Sequence, residues 1–117
     1  MQQQKEQMSR SVLRGLQLWP LLVHAARHKQ LLYYSDIAPL VGVPDRGLST
    51  PLGYLQRFCE SKQLPYLTAL VVSKGKGEPS HGCNAKGPAD LVGVFNYDWF
   101  QVPAPTLEDL HDLDESA

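Results

Sequence analysis

Four histidines and two cysteines are the side chains with which this 117-residue chain could hold a metal or activate a nucleophile. His81 and Cys83 form a His-x-Cys pair in a glycine-rich stretch, and Cys59 and His111 could complete a set of four ligands. The spacing among them fits none of the usual paired cysteine or paired histidine patterns of zinc sites. The same stretch, Ser80-His81-Gly82-Cys83-Asn84, has the look of a catalytic loop. A Cys/His nucleophile needs a third group to orient the base and donors for an oxyanion, and neither can be identified. His24 and His28 are four apart and can share a helix face. With no carboxylate beside them, and with Arg27 and Lys29 as neighbours, they read as a basic helix end that suits the helix dipole. The residues imply no enzyme, no metal and no cofactor.

The chemistry that is well represented is polyanion binding. Residues 1–76 hold 10 Lys/Arg against 4 Asp/Glu, whereas residues 77–117 hold 1 against 8. A basic body with an acidic tail suits a polyanion partner, or a tail that competes with one, although such tails are also plain solubilising ends. Within the basic part, Ser49, Thr50, Tyr54 and Arg57 fall on a helical pattern where they could face a nucleic-acid groove. Short hydroxyls at a helix start reach phosphates with the help of open backbone N–H groups. Arg46, Lys62, Lys74 and Lys76 flank that helix and would neutralise phosphates. Tyr33, Tyr34 and Tyr54 could stack on unpaired bases, which would turn the reading toward single strands; alternatively Tyr33 or Tyr34 packs between helices.

These residues need elements to position them. An apolar pattern of Leu13, Leu16, Trp19, Val23, Ala26 and Leu31 suits a helix face. Pro20 interrupts it, so a helix is expected to start near Trp19 and end about His28. Ser35 can cap a short helix over residues 36–41 ended by Gly42. After the turn Val43-Pro44-Asp45-Arg46-Gly47, a second helix is expected from Ser49 or Thr50, with Pro51 in its first turn and a stripe of Leu52, Leu55, Phe58 and Cys59. Residues 66–73 read as a buried strand and residues 90–100 as its hairpin partner, pairing 67–72 with 92–97 across a turn-rich loop at 74–88. Thr106 can cap a short acidic helix, and the spacing of Leu107, Leu110 and Leu113 would let it dock.

Several short motifs together resemble the C-terminal DNA-binding domain of the O6-alkylguanine-DNA alkyltransferases and their alkyltransferase-like relatives. They are Leu16-Gln17-Leu18-Trp19, Tyr34-Ser35-Asp36-Ile37-Ala38 followed by Gly42, Leu52-Gly53-Tyr54-Leu55, Leu64-Pro65 and Val71-Val72-Ser73-Lys74-Gly75. The similarity covers residues 16–77. It implies a winged helix-turn-helix fold and binding of duplex DNA, with 49–62 as the recognition helix. The family's proline-cysteine-histidine-arginine segment is replaced by Thr68-Ala69-Leu70, which has no thiol, proton relay or charge. Alkyl transfer is therefore excluded. The family's base-replacing arginine corresponds to about Thr50, so base extrusion is unsupported.

The expectation is an α+β domain of winged helix-turn-helix type, helices first and a β-hairpin wing after. Residues 1–10 would be a disordered lead-in, 11–103 the domain, and 104–117 an acidic tail that weakens DNA binding unless displaced. The alternative is a small protein-binding adaptor or inhibitor of a nucleic-acid-handling partner, using the tail with Tyr97 and Trp99 as interface anchors. The longest apolar runs are too short to cross a bilayer, and the polar start MQQQKEQMSR lacks a signal-type segment, so a cytoplasmic setting with reduced thiols is expected.

Overall fold

The structure, a computed structural model, describes residues 2–73 and 88–116, with side chains described for 10–44, 47–73 and 91–111. It is α+β: a bundle of helices around a two-stranded parallel sheet. The first helix, α1, runs unbroken over Gln2–Arg27 with Pro20 inside it. It therefore starts well before Trp19, and the backbone of residues 2–10, expected as a disordered lead-in, continues it. Pro20 only removes one hydrogen bond, to the carbonyl of Leu16, and its ring faces solvent. The buried stripe of α1 is Val12, Gly15, Leu18, Trp19, Leu22, Ala25 and Ala26. Leu13, placed in the stripe by spacing, is 47% exposed.

Strand β1 (Leu32–Tyr33) leads straight into helix α2 (Tyr34–Ile37) and a 3-10 turn at Pro39–Val41. Helix α2 starts before Ser35, so Ser35 is not its cap. The expected stop at Gly42 holds, with φ 75° in the left-handed region that glycine tolerates. A second 3-10 turn, Asp45–Leu48, feeds helix α3 (Ser49–Ser61), whose buried side includes Leu52, Leu55, Phe58 and Cys59 as the spacing predicts. Gly15 is where α1 and α3 come together. A Cβ there would meet the Pro51 carbonyl oxygen at 3.3 Å and Leu110 Cδ1 at 3.4 Å.

Residues 67–72 and 92–97 do not pair. Leu67–Leu70 is a fully buried 3-10 turn, and only Val71–Val72 is extended, as β2. Strand β2 pairs in parallel with β1, Leu32 opposite Val71 and Tyr33 opposite Val72. The expected partner strand is helix α4 (Pro88–Asn96). Proline suits its first position, and Leu91, Val94 and Phe95 turn inward at helical spacing while Val92 and Gly93 are exposed. An apolar run of this length is compatible with either structure, and the one-sided burial decides for helix. The hairpin wing is thus replaced by a helix. The connecting loop, with Lys74, Lys76, His81 and Cys83, lies outside the described residues.

After a 3-10 turn at Trp99–Gln101, helix α5 (Leu107–Ser116) closes the fold. Leu110 is wholly buried in the core, so the acidic tail docks. Thr106 and Asp109 build a reciprocal capping box: the Thr106 N–H donates to Asp109 Oδ2 at 2.9 Å, and the Asp109 N–H donates to Thr106 Oγ1 at 3.2 Å. The core is organised around Trp19, which meets Phe58 edge-on at 5.4 Å and Trp99 at 6.0 Å between ring centroids. Among the described residues no helix is long and apolar enough to cross a membrane.

Candidate nucleic-acid interface

Helix α3 buries Pro51, Leu52, Tyr54, Leu55, Phe58 and Cys59 against the body. What remains outward along its length is Ser49, Thr50, Gly53, Gln56, Arg57 and Glu60, from half-buried to exposed. The fold therefore brings three of the expected contact residues, Ser49, Thr50 and Arg57, to one side of one helix. Tyr54 does not join them. It is 2% exposed and belongs to the core, because position 54 shares a helical face with Pro51 and Phe58. The Arg57 guanidinium lies 5.0 Å from the Tyr54 ring centroid, a contact that helps to place it.

The chain enters α3 already helical, with Leu48 at φ −80° and ψ −21°. The first amides of α3 thus have carbonyls of the preceding 3-10 turn within reach. The phosphate site expected from open backbone N–H groups at Ser49 and Thr50 reduces to their hydroxyls.

Gly53 was named in the sequence as part of a motif and not as a contact, yet its position is informative. A glycine in mid-helix costs about 1 kcal/mol relative to alanine. Here a Cβ would meet only the Arg57 Nη1, at 3.6 Å, which is ordinary contact with the end of a mobile side chain. Packing does not require this glycine, and without a Cβ it leaves the helix backbone open on this side. Beside it, Arg57 Nε and Gln56 Oε1 are buried atoms with no hydrogen-bond partner among the described residues. Leaving such groups unmatched costs about 1–3 kcal/mol each.

Lys62, expected to meet phosphate, is exposed at the end of α3 and faces α5 across a groove of about 330 Å³ that Asp109 also lines. The Asp109 carboxyl is held below the usual carboxylate range, first by the Thr106 backbone N–H and to a lesser degree by the Thr106 hydroxyl and the charge of Lys62, against the opposing effect of burial. Lys62 and the tail's Asp109 thus line the same groove. The Arg46 side chain, like Lys74 and Lys76, lies outside the described residues.

Trp99 is not an interface anchor. It is 2% exposed, and its Nε1–H donates to the Val94 carbonyl at 2.8 Å, closing the end of α4. The exposed rings of that cluster are Tyr97 and Phe100. His24 and His28 do share a face, with ring centroids 4.3 Å apart. Among the described residues no three potential metal ligands cluster. Thr68-Ala69-Leu70, the segment aligned with the alkyltransferase nucleophile, is buried. Compared with protein-family models, curated proteins and solved structures, the chain matches none of them, so its function has to be read from its own residues.

Proposed function

We propose that this protein is a non-catalytic, alkyltransferase-like DNA-binding protein of helix-turn-helix type, acting in the cytoplasm. It contacts duplex DNA through the outward face of α3. The observation that carries the reading is the α3 face itself. Ser49, Thr50 and Arg57 surround a glycine that packing does not need, on a helix reached through a short helix and a turn. Hydroxyls and a guanidinium around a bare stretch of helix suit close docking against a sugar-phosphate backbone or a groove edge. Arg46, Lys62, Lys74 and Lys76 supply the flanking charge.

The test is fluorescence anisotropy of a labelled random duplex titrated at several salt concentrations. Five cations engaged on phosphates predict a log–log slope of about −4. Arg57→Ala should weaken binding about ten-fold, in line with losing a charged hydrogen bond. His81→Ala and Cys83→Ala should leave it unchanged. No binding even at low salt would discard the reading and leave a protein partner to be sought.

A further inference from the structure

We propose that the groove between α1 and the Trp99–Gln101 turn is a second site, which takes an unpaired nucleotide of a single-stranded nucleic acid. It shares no residue with the α3 face, so it stands whether or not α3 binds a duplex. The groove holds about 340 Å³, at the small end for ligand sites and of the size of one nucleotide rather than a folded element. Its floor is aromatic, made by Trp19 and Trp99. Its rim is cationic or protonatable: His24, Arg27 and His28, all exposed on one side of α1. Among the described residues no carboxylate lines it, and residues 7–35 contain no Asp or Glu.

Phe100 gives the site its character. It is 70% exposed, an unusual state for so large an apolar ring, and the Arg27 guanidinium lies 3.4 Å from its centroid. Arg27 holds one face of the ring, and so much exposure leaves the rest of it to solvent. A ring fixed in this way is a stacking platform for a base, and the cations beside it suit the phosphate. An acidic peptide would answer the charge but not the aromatic platform. An apolar segment would answer the platform but not the charge. An unpaired nucleotide answers both, and because a base has a π-face whatever its identity, little sequence preference is expected.

The test uses the full chain with labelled oligothymidylate, oligouridylate and duplex, read by anisotropy. Phe100→Ala and Arg27→Gln should each weaken binding of both single strands about ten-fold while leaving the duplex alone. Arg57→Ala should do the reverse. The double variant His24→Ala/His28→Ala should weaken the single strands. Unchanged melting temperatures establish that the variants are folded. Single-strand affinity that survives Phe100→Ala, Arg27→Gln and the double histidine variant would overturn the proposal. So would absence of single-strand binding in the parent protein, or displacement of the strand by an acidic peptide at lower concentration than by a free oligonucleotide.

Discussion

A methyl group added at Gly53 tests two properties at once. Gly53→Ala should raise stability by about 1 kcal/mol in chemical denaturation, since helix propensity improves and the new Cβ finds room. The same change should weaken the duplex if the face works as proposed. A variant that is more stable and binds as well as before would remove Gly53 from the interface. At Trp99, replacement by Phe keeps an aromatic ring but deletes the donor to the Val94 carbonyl. The Val94 carbonyl then keeps only the longer bond from the Tyr97 N–H, at 3.4 Å, so the loss should cost about 1 kcal/mol, read as a lower urea midpoint. The two aromatic residues also show what the sequence could and could not say at this scale. Tyr54 reads as an outward contact residue because of its hydroxyl, and the structure corrects this: it falls three after Pro51 and four before Phe58, on the buried face. Trp99 and Phe100 are adjacent and chemically alike, so nothing local tells which one turns inward; the contact with Trp19, eighty positions away in sequence order, does.

At the scale of elements, α1 and α3 end in the same way. The Gln30 N–H donates to the Ala25 carbonyl and the Lys29 N–H to Ala26; the Leu64 N–H donates to Cys59 and the Gln63 N–H to Glu60. Both are Schellman ends, with Lys29 at φ 54° and Gln63 at φ 56° where glycine is usual. Lys29→Gly and Gln63→Gly should each stabilise the fold by up to about 1 kcal/mol, because a side chain in this region is strained. Thermal melts of the two variants check it. At α5, Thr106→Ala should cost about 1 kcal/mol through loss of the cap. The partner Asp109 titrates lower in the folded chain than in the unfolded one. Its contribution is therefore present above the ordinary carboxylate range and lost as pH falls through its folded value. Asp109→Asn should lower the urea midpoint near neutral pH, and the gap to the parent should close in acid. Helices α2, α3 and α5 were legible from Gly42, Pro51 and Thr106, residues whose backbone demands are local. The helix over 88–96 was not, because its sequence, rich in valine and phenylalanine, suits a strand, and burial against α1 and the Leu67–Leu70 turn overrides that preference. Likewise, the continuity of α1 through Pro20 rests on packing that a propensity argument omits.

Over the whole molecule, the acidic end is both ballast and structure. Leu110 anchors it in the seam of α1 and α3, so Leu110→Ala should cost about 2–5 kcal/mol. Deleting residues 104–117 would then confound charge with folding. Neutralising Glu108, Asp112, Asp114 and Glu115 to their amides separates them, and should tighten duplex binding at low salt with little change in melting temperature. Unchanged affinity would assign the tail to stability alone. The charge asymmetry was legible from composition, whereas the parallel pairing of β1 with β2 was not, since it joins two-residue segments almost forty positions apart. That pairing has a kinetic consequence. The span carrying α2 and α3 has its two ends joined to each other by β1 and β2. If this span docks on DNA as proposed, rigid docking is expected of it. Ionic strength should then govern how fast complexes form, while differences among target sequences should emerge in how long they last.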